Sequence, residues 1–406
     1  MSRIDELIAK LCPEGVEFQP LKNVARIRNG KDYKEFGEGV IPVYGTGGIM
    51  TRIDTAAYEK PSVLIPRKGS LNKLYFVDEP FWTVDTIFYT EINEKQIVPK
   101  FFYYYLSTQR LEEMNQAGGV PSLTQTVLNE IRIPIPPLEV QREIVKVLDT
   151  FTELEAELEA ELEARRWQYQ YYRDELLSFN DASVASASKQ ASKQASKQAS
   201  KQASKQASIR WLTLSEIGKF IRGRRFTKAD YVDNGVSCIH YGEIYTHYGI
   251  SAKEVISHVR PDMKSILRCA KPGDVVLTDV GETVEDVGKA VAWMGSEDVA
   301  IHDHCYAFRH SMNPKFISYC MQTTSFIAKK AKYVARTKVN TLLIDGFSKI
   351  CIPVPPLEEQ ERIVAILDKF DALVNDLSSG LPAEIKARRQ QYEHYRDRLL
   401  SFKEAV

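Results

Sequence analysis

The sequence predicts two α/β (α+β) domains in tandem, each followed by a long α-helix, with the two helices paired as a coiled coil. A short motif that occurs twice supports this prediction, as IPIPPLEVQ from Ile133 to Gln141 and as IPVPPLEEQ from Ile352 to Gln360. Each copy opens a helix-type stretch, and the stretches end alike, in RRWQYQYYRDELLSF from Arg165 to Phe179 and in RRQQYEHYRDRLLSF from Arg388 to Phe402. The chain is therefore two half-proteins, each with a variable globular block and a repeated helical block.

The repeat divides the 406 residues into five predicted segments. These are a first globular domain at 1–132, a first helical region at 133–181, a linker at 182–209, a second globular domain at 210–351 and a second helical region at 352–406. A chain of this length is expected to hold two or three domains.

The two globular blocks share anchor segments and differ between them. FQPLKNVARIRNGK (Phe18 to Lys31) aligns with WLTLSEIGKFIRGR (Trp211 to Arg224), and VPKFFYYYLST (Val98 to Thr108) aligns with NPKFISYCMQT (Asn313 to Thr323). Between the anchors, short β-forming runs such as SVLIP and DVVLT are broken by Gly, Pro and Asp turns. Similar anchor segments with different residues between them are expected of two domains that have the same role and bind different targets.

The helical regions begin at Pro-Pro, which suits the first turn of a helix. In the first region an apolar stripe recurs every three or four residues, with one longer step, through Phe151, Leu154, Leu158, Leu162, Tyr169, Tyr172, Leu176 and Phe179. It includes ELEA three times between Glu153 and Ala164, and Tyr392 and Tyr395 continue the pattern in the second region. Two such stripes would most simply bury each other as a coiled coil. The alternative is that each covers its own globular block.

Residues 187–208 read ASKQ five times and then AS. The tract has no large apolar side chain to pack on another element, so we predict a solvated linker.

Charge is distributed unevenly, although the net charge is zero. Residues 133–181 carry five basic and twelve acidic side chains, whereas residues 210–350 carry 20 and 15. A DNA-binding protein can have this balance if its basic face is local.

Membrane and disulfide-rich classes are excluded by composition. No apolar run approaches the roughly 18 residues of a membrane span, and the charged start MSRIDELIAKLCPEG is unlike a signal peptide. The six cysteines form no CxxC pair, which favours reduced thiols over a disulfide framework or a zinc ribbon. We therefore expect a cytoplasmic protein that does not interact with a membrane.

The duplicated I-P-x-P-P-L-E-x-Q entry and Y-R-D-x-L-L-S-F exit, placed after two variable domains, resemble the specificity subunit of type I restriction–modification enzymes. The resemblance covers essentially the whole chain. It implies that each variable domain is a target-recognition domain reading one half of a bipartite, asymmetric site in double-stranded DNA. It also implies that the helices form an antiparallel coiled coil that sets the distance between the halves. The ELEA units resemble the tetrapeptide repeats of some family members.

The resemblance also implies partners and cofactors. The partners would be two methyltransferase subunits and up to two motor-nuclease (restriction) subunits, docked on the helices. S-adenosylmethionine would be bound by the methyltransferase, and ATP and Mg²⁺ by the motor-nuclease. This chain itself would bind no cofactor.

Candidate catalytic and metal motifs are weak. Asn313-Pro314-Lys315-Phe316 approaches the Asn-Pro-Pro-aromatic motif of amino-methyltransferases, but the aligned Val98-Pro99-Lys100-Phe101 has no Asn, so both are better explained as helix starts. His302-Asp303-His304-Cys305 has metal-ligand residue types, but the aligned Trp82–Asp85 does not, so no metal is predicted. Asp279, Glu282, Glu285 and Asp286 are interpreted as an acidic loop, and Gly45–Gly48 as a tight turn.

Basic residues with interleaved aromatic residues are the stronger signal, because such sets contact phosphates and base edges. In the first domain the predicted DNA contacts are Arg26, Arg28, Lys31, Tyr44, Arg67, Lys68 and Lys73. In the second they are Arg222, Arg224, Arg225, Lys228, His240, Tyr241, Tyr245, Lys330, Arg336 and Lys338. Any one of them could instead be an ordinary surface charge.

Two functions follow from these observations. The first is a non-catalytic DNA-recognition subunit. The alternative is a single-chain DNA modification enzyme or nuclease with tandem recognition domains, against which the missing cofactor loop and catalytic tetrad count. The sequence leaves open the DNA motif, its spacer length and the base that each residue reads.

Overall fold

A computed structural model describes residues 3–115, 118–179, 209–336 and 339–405. These residues form two compact units, Met1–Ala160 with Glu384–Val406 and Glu161–Ala383. The ASKQ tract and Lys338 lie outside the described residues.

The first half of the chain contains five helices and nine strands among its described residues. The helices are α1 (Arg3–Leu11), α2 (Leu21–Val24), α3 (Pro99–Ser107), α4 (Gln125–Asn129) and α5 (Leu138–Leu176), with a 3-10 turn at Leu111–Met114. The strands are β1 (Phe18–Pro20), β2 (Ala25–Asn29), β3 (Glu38–Gly45), β4 (Gly48–Ile53), β5 (Ser62–Pro66), β6 (Tyr75–Val77), β7 (Trp82–Thr83), β8 (Ile87–Ile92) and β9 (Arg132–Pro134).

The first unit is built on a four-stranded sheet in the order β2-β8-β5-β6, beside a three-stranded sheet in the order β4-β3-β7 and the pair β1-β9. Strand β5 is buried along its whole length. Val63 and Ile65 pack in the core that contains Phe101 of α3, whereas Leu64 packs with Phe81 in a second cluster. Side chains alternate between the faces of a strand, so the run SVLIP is apolar throughout because both its faces are covered.

The second half contains seven helices and fifteen strands in its described part. The helices are α6 (Leu214–Ile217), α7 (Tyr241–Thr246), α8 (Pro314–Met321), α9 (Thr324–Lys330), α10 (Ile344–Phe347), α11 (Leu357–Asn375) and α12 (Leu381–Leu399), with 3-10 turns at Lys228–Asp230, Pro261–Ser265 and Ala331–Tyr333. The strands are β10 (Arg210–Thr213), β11 (Gly218–Arg222), β12 (Tyr231–Val232), β13 (Val236–Ile239), β14 (Ser251–Ala252), β15 (Ser257–Val259), β16 (Cys269–Ala270), β17 (Val275–Thr278), β18 (Val280–Gly281), β19 (Ala290–Trp293), β20 (Val299–Ile301), β21 (Cys305–His310), β22 (Val334–Ala335), β23 (Asn340–Leu342) and β24 (Cys351–Val354).

The second unit has two five-stranded sheets, in the orders β11-β21-β17-β19-β14 and β12-β15-β13-β20-β16, with a three-stranded sheet β18-β23-β22 and the pair β10-β24. Both five-stranded sheets are mixed, because β14 pairs parallel to β19 and β13 pairs parallel to β20. The prediction of mixed α/β domains is confirmed in both halves.

The last residue of the repeated motif is a buried glutamine that links the helix to its globular block. In the first unit, Gln141 donates through Nε2 to the Pro136 carbonyl (2.7 Å) and accepts from the Val98 amide (2.7 Å). In the second unit, Gln360 donates to the Pro355 carbonyl (2.8 Å) and accepts from the Asn313 amide (2.9 Å). A buried amide side chain must be hydrogen-bonded, and this link satisfies both its ends.

About two turns further along each helix, a carboxylate forms a second link. Asp149 of α5 accepts from Lys100 Nζ (2.7 Å) and from the Tyr104 hydroxyl (2.6 Å). Asp368 of α11 is bonded in the same way, by Lys315 Nζ and the Tyr319 hydroxyl, each at 2.8 Å. Each helix is therefore tied to its own globular block near its beginning.

Further along, the helices of the two repeats contact each other. In the first unit, Phe151 of α5 stacks on Tyr395 of α12 (ring centroids 5.5 Å apart), and Arg389 pairs with the carboxylates of Glu155 and Glu159. In the second unit, Tyr172 of α5 stacks on Phe370 of α11, also at 5.5 Å. Helix α5 thus contacts both its own block and helices of the other repeat.

The prediction of one long helix in the second helical region is wrong. Helix α11 ends at Asn375 and α12 begins at Leu381. Asp376 stabilises the break, because its carboxylate accepts from the Ser378 amide at 2.7 Å. Pro382 has no backbone N–H and fits the first turn of the new helix. None of the helices in the described part of the chain combines the length and apolar character needed to span a bilayer.

Candidate nucleic-acid interface

Both domains present a basic residue after a glycine that packs against a neighbouring loop. A Cβ atom on Gly30 would lie 2.0 Å from the Val84 carbonyl oxygen, and one on Gly223 would lie 2.1 Å from that of His302. Only glycine permits such an approach. The next residue, Lys31 or Arg224, fixes the loop through its backbone amide and keeps an exposed side chain. The two basic residues are structural equivalents.

Each domain also holds an arginine guanidinium against an aromatic ring. In the first, Arg67 Nη1 donates to the Asp85 carbonyl (3.2 Å), with Cζ 5.9 Å from the centre of the Phe88 ring. In the second, Arg222 Nε donates to the Asp303 carbonyl (3.0 Å), with Cζ 5.8 Å from the centre of the Tyr306 ring.

Asp279 connects Arg222 to a histidine. One carboxylate oxygen accepts from Arg222 Nη2 (3.1 Å), and the other lies 2.9 Å from Nδ1 of His304. An ionised carboxylate can only accept, so this hydrogen bond requires the His304 tautomer with its proton on Nδ1. The Asp279 side chain is buried, whereas its two partners are half-exposed. A buried acceptor therefore fixes two donors whose other edges face solvent.

Two other histidines of the second domain, His240 and His302, pack against each other. The rings of His240 and His302 lie 4.5 Å apart, and His302 Nε2 is 3.1 Å from the Phe226 carbonyl oxygen. Burial lowers the pKa of both imidazoles, so they are uncharged at neutral pH. His240 also accepts from the Gly242 amide at the start of α7. Among the described residues no group of three or more His, Cys, Asp or Glu side chains is arranged to hold a metal ion.

The Gly45–Gly48 segment is the turn of the β3–β4 hairpin, and Gly48 has a φ of 114°, which favours glycine. Tyr75 donates its hydroxyl to the Thr46 carbonyl (3.0 Å), and Lys73 Nζ reaches the Gly47 carbonyl at 3.4 Å. Tyr44 lies half-buried beside Tyr75 and Phe81, and burial raises the pKa of its hydroxyl.

The predicted DNA contacts differ in exposure. Those exposed are Arg26, Lys31, Lys68, Lys73, Arg222, Arg224, Arg225, Lys228 and Arg336. Those half-buried are Arg28, Tyr44, Arg67, His240, Tyr241 and Tyr245. Four of the half-buried residues use polar atoms within the domain. Arg67 and His240 form the bonds described above, Arg28 pairs with Glu91 (2.9 Å), and the Tyr245 hydroxyl donates to Thr278 (2.7 Å).

Lys330 requires a correction. The residue is only 1% exposed, and its Nζ donates to the Glu285 carbonyl at 2.7 Å. The predicted contact with DNA is therefore replaced by a structural role, in which the ammonium joins α9 to the loop before β19.

The predicted spacer residues differ in burial, and the four tyrosines among them contact other helices. Leu154 and Leu158 are half-buried in the first unit, and Leu162 and Tyr169 are buried in the second. The Tyr169 hydroxyl donates to Asp371 of α11 at 3.2 Å. Tyr172, Tyr392 and Tyr395 all pack against phenylalanine rings.

Sequence reasoning did not assign a binding role to Asp279 or His304. The sequence predicts an acidic loop at Asp279 and no metal at the motif that contains His304. A usable signal exists, because Asp279 follows the buried strand β17 just as Arg67 follows β5. Aligning the two runs would have put a carboxylate where the first domain has a guanidinium.

A family model for the type I restriction modification DNA specificity domain matches residues 13–164 and 211–387. The chain belongs to this family. It is 30% identical over 404 residues to a putative type I restriction enzyme specificity subunit of Haemophilus influenzae, covering 95% of this chain and 96% of the relative. It is 31% identical over 328 residues to the Escherichia coli EcoR124I/EcoR124II specificity subunit, covering 77% of this chain and 73% of the relative.

Solved structures of such subunits have the same fold. An S subunit from M. genitalium matches with a TM-score of 0.50 at 16% identity, covering 95% of both chains. A chain from a study of type I system assembly matches with a TM-score of 0.59 at 16% identity, covering 95% of this chain and 97% of that one. The resemblance to a type I specificity subunit is confirmed by the family membership. These are recognition subunits without catalytic activity, so the single-chain enzyme alternative is not supported.

Proposed function

We propose that this specificity subunit reads a bipartite, asymmetric site in double-stranded DNA, with one globular domain on each half-site. One observation carries the proposal. The links between helix and globular block repeat in both halves, at Gln141 and Gln360 and again at Asp149 and Asp368. The loops that these links support differ, with Arg67 in one domain at the place that Asp279 has in the other. Repeated links to the helices combined with different loops are expected if the two domains recognise two different DNA sequences.

The exposed basic residues would supply the phosphate contacts. Lys31 and Arg224 occupy equivalent places after their glycines, and Lys68 and Arg225 are also exposed. Lysine and arginine contacts to phosphate position a protein on the duplex without reading its sequence, and they release bound counterions. Sequence would be read by side chains that reach base edges in the major groove.

The helices would act as spacer and as docking platform. In this proposal α5 forms an antiparallel coiled coil with α11 and α12, supported by the stacked rings of Phe151 with Tyr395 and of Tyr172 with Phe370. Two methyltransferase subunits and up to two restriction subunits would dock on this spacer. S-adenosylmethionine would bind the methyltransferase subunits, and ATP and Mg²⁺ the restriction subunits, while this chain provides sequence recognition.

A domain exchange tests the proposal. Residues 210–350 are replaced by the second domain of another family member, and the chimera is co-expressed with the methyltransferase of this system. Sequencing of methylated adenines in cellular DNA should show that one half of the motif has changed while the other is retained. A reciprocal exchange of residues 18–131 serves as the control and should change the opposite half. A change in both halves from one exchange would contradict the assignment of one domain to each half-site.

A further inference from the structure

The two domains place an arginine guanidinium at the same point of their frame, although the arginine stands at a different position of the chain in each. Asn29 of β2 pairs with Phe88 of β8, and Arg222 of β11 pairs with Tyr306 of β21 in the same register. Arg222 therefore occupies the place of Asn29 in the chain.

Arg67 and Asp279 are equivalent in turn. The Arg67 amide donates to the Thr86 carbonyl at 2.9 Å, and the Asp279 amide donates to the His304 carbonyl at 3.0 Å. Their own carbonyls accept from Leu123 and Leu342, at 2.9 and 2.7 Å. The second domain thus has a carboxylate where the first has an arginine, and an arginine where the first has an asparagine.

Despite this exchange of residue types, the side chains bring a guanidinium to the same place in both domains. Phe88 and Tyr306 are equivalent rings, and the carbonyls of Asp85 and Asp303 precede them by three residues in both domains. This register aligns His302–Cys305 with Val84–Ile87, so the alignment with Trp82–Asp85 predicted from the sequence is wrong by two residues. Each guanidinium lies over its ring, 5.9 or 5.8 Å from the ring centre, and donates to its carbonyl. Arg67 and Arg222 stand at different positions of the chain, yet their guanidinium groups contact equivalent rings and equivalent carbonyls of the frame. Ordinary surface charges without a shared role would have no physical reason to coincide in this way.

The guanidinium is held in a fixed orientation with donors to spare. In Arg222, Nε and one hydrogen of Nη2 are bonded to Asp303 and Asp279. Nη1 and the other hydrogen of Nη2 make no hydrogen bond to any residue that the structure describes, and the side chain is 51% exposed. Nη1 and Nη2 thus keep free hydrogens, and a guanidinium with donors on two adjacent nitrogens can bind two acceptors of one planar group.

The partner carboxylate favours a base over a phosphate as the ligand. Asp279 offsets much of the charge of Arg222, which weakens attraction to the diffuse negative charge of the backbone. The same contact fixes the direction of the fork, and direction matters most for the N7 and O6 acceptors of guanine, which arginine binds bidentately. Ordering a long side chain in advance also reduces the entropy lost on binding.

We propose that Arg67 and Arg222 are the equivalent base-reading arginines of the two domains, each directed to the N7 and O6 atoms of one guanine in its own half-site, and that Asp279 positions Arg222. This inference rests on the proposed function and adds the residue and the base. The other exposed basic residues of the predicted DNA contacts, Lys31 and Arg224 among them, then contact phosphates.

The test uses the full chain co-expressed with its methyltransferase, after the motif has been read from methylated DNA. Each guanine of the motif is replaced in turn by 7-deazaguanine, which lacks the N7 acceptor but pairs normally. In each half-site one replacement should weaken binding about tenfold. Arg222→Ala should be insensitive to the replacement in the second half-site and unchanged in the first, and Arg67→Ala should show the reverse.

Three further variants distinguish base recognition by Arg222 from an effect of its charge and from an effect on folding. Arg222→Lys keeps the charge and should bind non-specific DNA normally while losing the sensitivity to 7-deazaguanine. Asp279→Asn should lose that sensitivity in the second half-site only, with the first half-site reporting that the protein is intact. Arg260→Ala is the matched control, since Arg260 is 50% exposed and pairs with Asp230 in the same domain; it should retain full discrimination.

Several outcomes would overturn the inference while leaving the proposed function in place. One is a motif without guanine in either half-site. Another is an Arg222→Ala protein that binds all sequences more weakly by the same factor, with a salt slope lower by about one, since that marks a phosphate contact. Failure of the unsubstituted complex to prefer any sequence would instead overturn the proposed function itself.

Discussion

Phe151 and Tyr395 stack with ring centroids 5.5 Å and planes 25° apart, and Tyr172 and Phe370 repeat both values in the other unit. In each pair the phenylalanine lies early in the helical region of one repeat, and the tyrosine lies late in that of the other. Each unit is therefore completed by a segment of the other repeat. This explains why the closing motif is duplicated, because each copy packs on the helix of the other repeat.

Removing one ring of this pair should destabilise the helix contact. Tyr395→Ala loses buried area and the ring interaction, which alone is worth about 0.5–1.5 kcal/mol, so we expect a loss of roughly 2 kcal/mol. The measurement is urea unfolding followed by circular dichroism, compared at equal protein concentration. Tyr171→Ala is the control, because Tyr171 lies on α5 with 63% exposure and should cost less than about 0.5 kcal/mol. Equal losses from the two variants would show that the stacked pair adds nothing.

The exposed arginines after Gly223 should contribute to the salt dependence of DNA binding. Arg224→Ala with Arg225→Ala should weaken binding and lower the slope of log K against log salt by about two, one for each phosphate contact. Fluorescence anisotropy with the full chain and its methyltransferase, at several salt concentrations, measures this slope. Lys253→Ala with Lys264→Ala removes the same charge from exposed positions outside the predicted set. If that control lowers the slope as much, the arginines have no special place in the interface.

Lys330 should influence folding stability rather than DNA binding. Burial lowers the pKa of its ammonium from 10.5 to about 8, so between these values the unfolded state binds more protons than the folded state. Stability from this site therefore rises as pH increases from about 8 to 10.5, by at most about 1.4 kcal/mol per pH unit. The stability of the unsubstituted protein minus that of Lys330→Met should rise over this range and stay flat below it. A difference that falls with pH, or a lower salt slope of DNA binding for Lys330→Met, would contradict the buried structural role.

The parts of the fold that could be predicted depend on local patterns. The Pro-Pro entry, the apolar stripe and the buried run SVLIP each depend on residues close in sequence, and the repeat showed which of them mattered. The site depends on contacts across the chain. Asp279 meets Arg222 across 57 residues, and Lys330 meets Glu285 across 45. No spacing rule distinguishes a buried lysine from the exposed residues beside it, or a positioning carboxylate from an acidic loop.

The break in the second helical region could not be predicted either, although the residues around it are close in sequence. Gly380 and Pro382 are visible in the sequence, but glycine and proline are tolerated in some long helices and end others. Asp376 decides the outcome here, because its carboxylate accepts from the Ser378 amide and its carbonyl accepts from the Gly380 amide. These bonds stabilise a turn that competes with the continuing helix. The first region has ELEA units in the corresponding stretch and continues as the single helix α5, from Leu138 to Leu176.

That continuous helix makes the ELEA units the proposed ruler between the half-sites. Deleting residues 157–160 removes one unit, or about 6 Å of helix, and rotates the apolar stripe by only about 40°. The next unit then brings Glu163 to the place of Glu159, so Arg389 keeps a carboxylate partner. With base pairs about 3.4 Å apart, the recognised spacer should shorten by one or two base pairs, with both half-site sequences unchanged. Deleting one ASKQ unit is the matched control, equal in length but in the predicted linker, and should leave the spacer as it was. Sequencing of methylated DNA gives the recognised motif of each deletion protein, and the spacer lengths show whether α5 or the ASKQ linker sets the distance. A spacer that shifts with the ASKQ deletion and not with the ELEA deletion would falsify the assignment of the ruler to α5.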